Sequence, residues 1–353
     1  MATARGARHR RLSAVLASLG DADLAALVRP ERAGGVGVGG GTAVVDVDGT
    51  PVFVKRIPLT DRELAHPGST ANLFGLPVFC QYGVGGPGFS AWRELAANDI
   101  VTDAVLAGRT RSFPLLYHWR VLPGRAPVAA EHADIDAVVA AFGGSPAVRA
   151  RLEALAAASR SLVLFCEYIP YPATDWLRVD PVGKAATVER QFAQIVTFLR
   201  GRELLHMDGH LGNLRTDGER LYLTDFGLAT SPRFELSPAE RDFAERHATH
   251  DAGYAAMRLV NWLVTEVCGV PGSAGPAVRN EYVLRCAEGS VPADVPPVVA
   301  AILARHAPAA ARMNAFYWKL FDRDLQAEYP GPPFGAVQNS SGRDEAPRFR
   351  PPR

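Results

Sequence analysis

His206-Met207-Asp208-Gly209-His210-Leu211-Gly212-Asn213, followed by Asp225-Phe226-Gly227, is the stretch of sequence that decides how the rest of the chain is interpreted. Asp208 and Asn213 lie five residues apart in a turn-prone segment, between a predicted helix over 182–200 and a predicted hairpin over 214–224. Asp217-Gly218 forms the turn of that hairpin, and Asp225 follows its return strand. A loop at this position can bring these polar side chains to one point.

A glycine-rich segment and a second hairpin lie upstream of this loop. Thr42 to Val47 and Pro51 to Ile57 are strand-like runs separated by the turn signal Asp48-Gly49-Thr50, and Lys55 lies near the end of the second run. The preceding run, Gly34 to Gly41, is too rich in glycine for a regular element. Within it Gly35, Gly37 and Gly40 match the pattern GxGxxG. With so many glycines some match is nearly certain, so a flexible linker is the alternative interpretation.

The remaining periodic segments predict mostly helices. Hydrophobic spacing predicts helices over 14–28, 90–106, 135–158 with an interruption at 143–146, 250–267, 277–286 and 298–321. Thr60-Asp61-Arg62-Glu63 is a capping box that would open one more short helix. Aromatic and continuous apolar runs predict strands over 113–122 and 161–168. The chain is therefore expected to be α+β, with a strand-rich first half and a helical second half.

The polar residues of the segments His206–Asn213 and Asp225–Gly227 suit phosphoryl transfer from ATP. This reaction requires bound phosphates, metal ions that neutralise their charge, and a carboxylate that orients the acceptor hydroxyl. Asp208 can orient the acceptor, whereas Asn213 and Asp225 offer the oxygen ligands that Mg²⁺ prefers. Asp-Phe-Gly alone would indicate only a turn, but its combination with His-x-Asp-x-x-x-x-Asn is much rarer. The sequence therefore predicts ATP and Mg²⁺ as cofactors.

From about Gly34 to Val267 the chain resembles the protein-kinase-like superfamily, which includes aminoglycoside and choline kinases as well as protein kinases. The resemblance implies a two-lobed protein-kinase-like fold, with a β-rich N-lobe over a mainly helical C-lobe and ATP in the cleft. It divides the chain into an N-terminal helical extension over residues 1–30, an N-lobe over 31–169, a C-lobe over 170–329 and a flexible tail over 330–353.

The resemblance also implies roles for individual residues. Asp208 matches the catalytic carboxylate, and Asn213 and Asp225 match the metal ligands. Lys55 matches the lysine that binds the α- and β-phosphates. The phosphate-binding loop and the adenine-binding hinge then correspond to Gly35, Gly37 and Gly40, and to the backbone of Glu167, Tyr168 and Ile169.

Two further acidic residues are expected to support this site. The resemblance implies that Lys55 pairs with a glutamate on a helix, and Glu94 in the predicted helix over 90–106 is the preferred partner. Glu63 is the rival, although its place in the capping box already explains it. Asp251 resembles the buried aspartate that anchors the catalytic loop, and it would also serve as a helix N-cap.

His210 and the short stretch after Asp225 separate this chain from regulated protein kinases. Protein serine/threonine kinases usually have lysine two residues after the catalytic aspartate, and His210 is closer to small-molecule kinases. His210 either contacts the transferred phosphate or braces the loop, and His206 is expected to support the loop. Only about twenty-five residues separate Asp225 from Asp251, which hardly accommodates a phosphorylation-controlled segment.

The acceptor remains open between a hydroxyl-bearing small molecule and a Ser or Thr side chain of a peptide or protein. A cationic small molecule would need acidic residues, to which Asp242, Glu245 and Glu281 could contribute. Two other functions compete with the kinase: a pseudokinase that serves as a nucleotide-binding scaffold, and a transferase that moves AMP. Pseudokinases usually lack the lysine or one of the two aspartates, and this chain has all three.

Composition argues against several other classes of protein. A net charge of +1 over 353 residues gives no reason to expect a nucleic-acid partner. No apolar run approaches the roughly 20 residues that cross a bilayer, and the basic start lacks the apolar stretch of a secretory signal. The four scattered cysteines lack metal-binding spacing and are expected to be reduced. We therefore expect a cytoplasmic protein without a membrane partner.

Overall fold

Within the described residues, five strands form one antiparallel sheet in the first half of the chain. The computed structural model describes residues 4–28, 33–37 and 40–331. The strands are β1 (Ala33–Gly37), β2 (Gly40–Val47), β3 (Thr50–Leu59), β4 (Leu116–Pro123) and β5 (Arg160–Glu167). Their order across the sheet is β1-β2-β3-β5-β4. The chain is thus a mixed α+β protein, as expected.

The central strand β3 carries Lys55 to the middle of this sheet. Lys55 is opposite Thr42 of β2 on one side and Leu164 of β5 on the other. Since successive side chains of a strand alternate between the two faces, Lys55 shares its face with Phe53 and Ile57. Those two residues pack into a small apolar cluster with Trp92 and Leu95. The opposite face of β3 contributes Val52 and Val54 to the main core.

Helices cover both faces of the sheet. The face that carries Lys55 packs against α4 (Ala91–Leu106). The other face packs against α1 (Ala4–Ser18) and α2 (Asp21–Leu27), which bury Leu12, Leu16 and Leu24. The prediction of one helix over 14–28 is wrong in its bounds, because Gly20 adopts an extended conformation between the two helices. The basic start of the chain contributes the first turns of α1 from Ala4 onwards.

Arginines of α1 explain why this basic segment folds onto the sheet. Arg5 Nε donates to both carboxylate oxygens of Glu167, at 3.1 and 3.2 Å, and Arg8 forms a second ion pair with the same carboxylate. Arg5 also donates to the carbonyl oxygens of Arg111 and Phe113. Glu167 ends β5 and is only 6% exposed. Two guanidinium groups therefore neutralise a buried carboxylate whose other hydrogen-bond donor is the uncharged backbone N–H of Leu115.

The glycine-rich run forms strands rather than an irregular segment. Residues 33–37 and 40–47 pair as β1 and β2, with Val36 opposite Gly41 and Gly37 opposite Gly40. The prediction that residues 34–41 lack regular structure is therefore wrong. The strand hydrogen bonds involve only backbone groups, and the other edge of β2 is held by β3. The two residues between β1 and β2, Val38 and Gly39, lie outside the described residues.

A long connection between β4 and β5 is anchored by a buried ion pair. It contains α5 (Ile135–Ala141) and α6 (Pro146–Ala157), separated near the predicted interruption. Arg151 of α6 binds Glu63 of α3 (Asp61–Ala65) through two N–O contacts of 2.8 and 3.1 Å. Glu63 also completes the predicted capping box with Thr60, and Arg151 lowers its pKa although burial acts in the opposite direction. Glu63 is thus fully occupied away from Lys55.

The second half of the chain is mainly helical. Its elements are β6 (Tyr171–Pro172), α7 (Ala173–Val179), α8 (Pro181–Gly201), β7 (Leu214–Thr216), β8 (Leu221–Leu223), α9 (Pro238–Arg246), α10 (His250–Glu266), α11 (Gly275–Ala287) and α12 (Pro297–Phe321). The apolar helix α10 packs against α8, α11 and α12. The strands β6, β7 and β8 form a small antiparallel sheet. Among the described helices, none is both long and apolar enough to cross a membrane.

A second buried ion pair joins the two halves. Arg93 of α4 binds Glu240 of α9 at 2.6 Å, and these residues are 1% and 5% exposed. Arg93 Nε also donates to the carbonyl oxygen of Thr70. The pair fixes α4 against the helical half of the chain. The tail predicted over 330–353 lies outside the described residues from position 332 onwards.

Removal of both guanidinium groups that bind Glu167 should destabilise the protein. In the double variant Arg5→Ala/Arg8→Ala the buried carboxylate of Glu167 loses both of its cationic partners, and we expect the free energy of unfolding to fall by about 3 kcal/mol. Chemical denaturation at neutral pH measures this loss. Arg10→Ala, at an exposed position on the same helix, is the matched control and should change stability by less than about 0.5 kcal/mol. An unchanged double variant would show that the pairs do not hold α1.

Candidate active site

Three charged side chains from distant parts of the chain meet beneath the sheet. Lys55 Nζ lies 2.8 Å from Glu94 Oε1 and 2.8 Å from Asp225 Oδ1. Lys55 is supplied by β3, Glu94 by the first turns of α4, and Asp225 by the segment after β8. Lys55 and Glu94 are buried, at 7% and 4% exposed. The structure therefore brings together three of the residues that the sequence singles out.

The charges of this cluster sustain one another. Burial alone would lower the pKa of Lys55, but the carboxylates of Asp225 and Glu94 outweigh it and raise that pKa. Burial alone would raise the pKa of Asp225, but Lys55 outweighs it and lowers that pKa. Lys55 is consequently cationic and Asp225 anionic at neutral pH. The pKa of Glu94 is raised, because burial and the charge of Asp225 outweigh the opposite effect of Lys55.

The loop that carries Asp208 is held from below by one aspartate. Asp251, on the first turn of α10, accepts hydrogen bonds from His206 N at 2.7 Å and from Met207 N at 3.0 Å. These bonds hold Met207 at φ +66°, in the left-handed region that non-glycine residues rarely adopt. Burial opposes ionisation of Asp251, but His250 and the two backbone donors lower its pKa. Asp251 is therefore a charged anchor. The prediction that it is also the helix N-cap is wrong, because Thr249 occupies that position.

His206 links this loop to the Asp225 segment. Its Nδ1 accepts from Asp208 N at 3.3 Å, so the ring proton is on Nε2, which donates to the carbonyl oxygen of Thr224 at 3.0 Å. The ring is fully buried, which lowers its pKa and keeps it neutral. Its centroid lies 5.0 Å from the ring of Phe226. His206 thus has the supporting place that the sequence predicts.

Asp208 occupies a confined position between the loop and α10. Asn213 Nδ2 donates to Asp208 O at 3.0 Å, and Tyr254 Oη lies 3.4 Å from Asp208 Oδ1. Burial and then repulsion by Asp225 raise the pKa of Asp208 to about 7. A Cβ atom at Gly83 would lie 2.7 Å from Asp208 Oδ1, so a side chain at position 83 would collide with this carboxylate. The absence of a side chain at Gly83 therefore makes room for the carboxylate.

His210 lies beside the same carboxylate as a neutral ring. Its Nδ1 accepts from Gly212 N at 2.9 Å, which places the ring proton on Nε2, 3.6 Å from Asp208 Oδ2. Burial and the charge of Arg258 lower the pKa of His210 to about 4. The ring braces the turn at Gly212 and also presents an N–H toward Asp208. Both of the roles left open by the sequence are compatible with this position.

One cavity of about 500 Å³ lies against the sheet. Its walls include Thr42, Ala43 and Val44 of β2, Phe53 of β3, and the Glu167–Ile169 segment that follows the sheet. Arg215 holds that segment by donating to the carbonyl oxygens of Ile169 and Pro170, at 3.1 and 2.7 Å. Side chains at positions 33–40 are outside the described residues, so Gly35, Gly37 and Gly40 are placed only as backbone of the paired strands.

A second cavity of about 530 Å³ lies on the other side of the charged cluster. Lys55, Glu94, Asn213 and Asp225 line both cavities and form the wall between them. The second cavity adds Asp208 and His210 from the loop, and Tyr254 and Arg258 from α10. Residues 127–132 of the long β4–β5 connection and the glycine-rich segment 83–88 close it from other sides. The catalytic candidates thus lie where two separate ligands could meet.

The oxygen atoms around Asn213 and Asp225 fit a magnesium ion. Asp225 Oδ1 is bound by Lys55 and Gly227 N, whereas Asp225 Oδ2 and Asn213 Oδ1 accept no hydrogen bond from the described part of the chain. Mg²⁺ commonly binds one or two protein oxygen atoms and completes its shell with waters and phosphates. The described residues contain no group of three or more His, Cys, Asp or Glu side chains placed to hold a metal. Asn213 and Asp225 would therefore supply at most two protein oxygen ligands to an ion.

Several sequence interpretations need correction at this site. Asp242, Glu245 and Glu281 are exposed and do not line either cavity, because they lie on the outer faces of α9 and α11. Asp225 itself adopts the left-handed backbone region, at φ +65°.

Tyr254, Arg258 and Gly83 are site residues that the motifs did not indicate. Spacing could have found the first two, since Asp251, Tyr254 and Arg258 follow one another at i, i+3 and i+7 on one helix face.

The chain matches no protein-family model, and a search of curated proteins found none with significant similarity.

Loss of the anchor beneath the Asp208 loop should cost stability in a pH-dependent way. Asp251→Ala removes an ionised acceptor of two backbone hydrogen bonds, and we expect a loss of about 3 kcal/mol at pH 7. The pKa of Asp251 is lowered in the folded protein, so its contribution is present above about pH 4 and disappears as the pH falls further. The difference between wild type and variant in urea unfolding should therefore narrow below pH 4. The exposed Asp242→Ala is the control, and an equal loss there would contradict the assignment.

Proposed function

We propose that this protein is an ATP-dependent kinase that transfers the γ-phosphate to a hydroxyl group, with the two-lobed arrangement of the protein-kinase-like superfamily. One observation carries the proposal: two cavities meet at a wall formed by Lys55, Glu94, Asn213 and Asp225. Phosphoryl transfer needs a donor and an acceptor on opposite sides of the transferred group. Asp208 lines only the second cavity, which is the side on which an acceptor hydroxyl would approach.

The first cavity supports the binding of ATP. Its volume of about 500 Å³ is within the range of nucleotide and drug-sized sites. The backbone of Glu167, Tyr168 and Ile169 would bind adenine, and Lys55 would bind the α- and β-phosphates. The paired strands that contain Gly35, Gly37 and Gly40 would approach those phosphates without interference from side chains. Mg²⁺ held by Asn213 and Asp225 would supply positive charge that neutralises the phosphates.

The second cavity supports acceptor activation by Asp208. The acceptor oxygen attacks the γ-phosphorus, its proton passes to an oxygen of Asp208, and the bond between the γ-phosphorus and the β-phosphate oxygen breaks to release ADP. A pKa near 7 suits a group that accepts a proton at neutral pH. Neutral His210 can donate its Nε2 proton in a hydrogen bond to the carboxylate or to a transferred phosphate oxygen. Tyr254 holds the carboxylate from the α10 side.

A small-molecule acceptor fits the surroundings of Asp208 better than an extended protein chain. Residues 83–88, residues 127–132 and Phe321 at the end of α12 line a partly open space beside Asp208. A peptide substrate would need an open groove that extends over several residues on both sides of the hydroxyl. The short connection from Asp225 to α10, occupied by α9, also offers little length for a regulated segment. We therefore favour a small hydroxylated molecule as the substrate.

Substitutions of Lys55, Asp225 and Asp208 should affect nucleotide binding and turnover differently. Lys55→Met and Asp225→Ala should weaken nucleotide affinity and lower turnover by about 10²-fold or more, with the effect of Asp225→Ala dependent on Mg²⁺. Asp208→Ala should lower turnover by about 10²- to 10⁴-fold while nucleotide affinity is maintained. Calorimetric titration and steady-state kinetics measure the two quantities. Lys319→Met and Asp242→Ala, both exposed, are the matched controls. Full turnover by Asp208→Ala would contradict the mechanism.

The reaction products should distinguish the kinase from the two competing functions. We expect ADP and a phosphorylated acceptor in equal amounts when ATP and Mg²⁺ are supplied with a panel of hydroxylated small molecules and peptides. Mass spectrometry of the acceptor and chromatography of the nucleotide provide the measurement. Pyrophosphate with an AMP-modified acceptor would indicate a transferase of AMP, whereas nucleotide binding without any turnover would indicate a pseudokinase.

A further inference from the structure

Arg258 stands out among the charged residues of the acceptor cavity. It projects from α10 beside Tyr254, with its guanidinium carbon 5.8 Å from the Tyr254 ring centroid, and it lines the cavity that contains Asp208. Within the described residues no carboxylate lies within 4 Å of its nitrogen atoms and no hydrogen bond satisfies them. Arg151, the other arginine of this cavity, is fully paired with Glu63. Arg258 is thus the arginine of this cavity that remains available to a ligand.

A second guanidinium group reinforces the positive charge at this position. Arg279 of α11 is half-buried, and its Nε is buried without a hydrogen-bond partner among the described residues. Burial and then repulsion by Arg258 lower the pKa of Arg279, which shows that the two cations act on each other. The charge of Arg258 also acts on Asp208, Tyr254 and His210. Arg258 is therefore a cation that lines the cavity near Asp208, and Arg279 lies outside the lining.

Acidic residues that would select a cationic acceptor lie elsewhere. Asp242, Glu245 and Glu281 are exposed outside the cavity. Asp208 and Asp225, which do line it, belong to the proposed chemical step, and Glu94 is bound by Lys55. Glu131 is the remaining carboxylate of the lining, and it lies 3.7 Å from His132 Nε2. Outside the charged cluster and the proposed chemical step, the described lining thus offers one unpaired cation, Arg258, to an anionic group, and one partly exposed carboxylate, Glu131.

We propose, as an extension of the kinase function, that the acceptor is a small hydroxylated molecule with a phosphate or carboxylate group, which Arg258 binds while the hydroxyl faces Asp208. The planar guanidinium group forms two parallel hydrogen bonds with such anions. A cavity of about 530 Å³ accommodates a molecule of this size. Asp251, Tyr254 and Arg258 follow at helical spacing on α10, so one rigid helix sets the distance from the anchored loop to the anion.

Direct binding of matched probes tests this proposal without any need for turnover. Glycerol 3-phosphate, glycerate and glycerol share hydroxyl groups and differ in the anionic group, and inorganic phosphate tests the anion alone. We expect calorimetric titration to show binding of the anionic probes to wild type and no binding of glycerol. Arg258→Ala should weaken binding of the anionic probes by about 10- to 100-fold, and Arg258→Lys should restore part of it. Arg285→Ala, on an exposed position of α11, should bind like wild type.

Turnover with paired acceptors forms the second arm of the experiment. Polyols, sugars and their phosphate and carboxylate derivatives are supplied with ATP and Mg²⁺, and the ratio of kcat/KM between anionic and neutral members is compared. Wild type should favour the anionic member of each pair, and Arg258→Ala should lower that ratio by about 10-fold or more through KM. Arg258→Gln serves as a second variant if thermal unfolding shows that Arg258→Ala is misfolded.

The outcomes separate the two proposals. If neutral acceptors are used as well as anionic ones, or if Arg258→Ala binds the anionic probes like wild type, the anionic acceptor is wrong and the kinase function stands. If no acceptor is phosphorylated, the kinase function fails. In that case the calorimetric titrations alone decide whether Arg258 binds anions. If Arg258→Ala binds the anionic probes as tightly as wild type, Arg258 is not an anion site.

Discussion

The contact of Lys55 with both Glu94 and Asp225 is the constraint on which the rest of the site depends. Lys55 and Glu94 are buried and the Asp225 side chain is 35% exposed, so the buried ammonium group depends on the two carboxylates for its charge compensation. The contact also determines architecture, because it requires β3, α4 and the segment after β8 to converge within 3 Å. The two cavities are separated by this cluster and owe their common wall to it.

Helix α10 is the second element that positions the site, because it supplies three of the side chains around the Asp208 loop. Its first turn supplies Asp251, which holds the backbone of the Asp208 loop. The next turn supplies Tyr254, which contacts the Asp208 carboxylate, and a further turn supplies Arg258. Because the helix is packed against α8, α11 and α12, these side chains are positioned by the core of the helical half. Helix α10 consequently positions the Asp208 loop, the Asp208 carboxylate and the Arg258 guanidinium group relative to one another.

The sequence predicted well those features that depend on neighbours along the chain. The helices over 90–106, 250–267 and 298–321 and the hairpin at Asp48-Gly49 lie close to their predicted bounds, since periodicity and turn chemistry are local properties. The motif at 206–213 likewise predicted that Asp208, Asn213 and Asp225 would converge.

Features that depend on distant partners were missed. The arginines of α1 find Glu167 more than 150 residues away, and no local pattern indicates that contact. The glycine-rich composition of residues 34–41 opposes strand formation. These residues nevertheless form strands because β1 pairs with β2 and β2 pairs with β3. The sequence likewise cannot show that Arg258 lacks a carboxylate partner, because this depends on the three-dimensional positions of all acidic side chains.

Two adjacent residues of α4, Arg93 and Glu94, bind different parts of the chain, and this restricts the movement of the helix. Glu94 contacts Lys55 of the sheet, while Arg93 is bound to Glu240 of the helical half. An outward rotation of α4, which would separate Glu94 from Lys55, would also have to break a buried arginine–glutamate pair and leave both charges without compensation. That movement would cost several kcal/mol, more than a modest allosteric ligand supplies. The Arg93–Glu240 pair therefore opposes any movement of α4 that would separate Glu94 from Lys55.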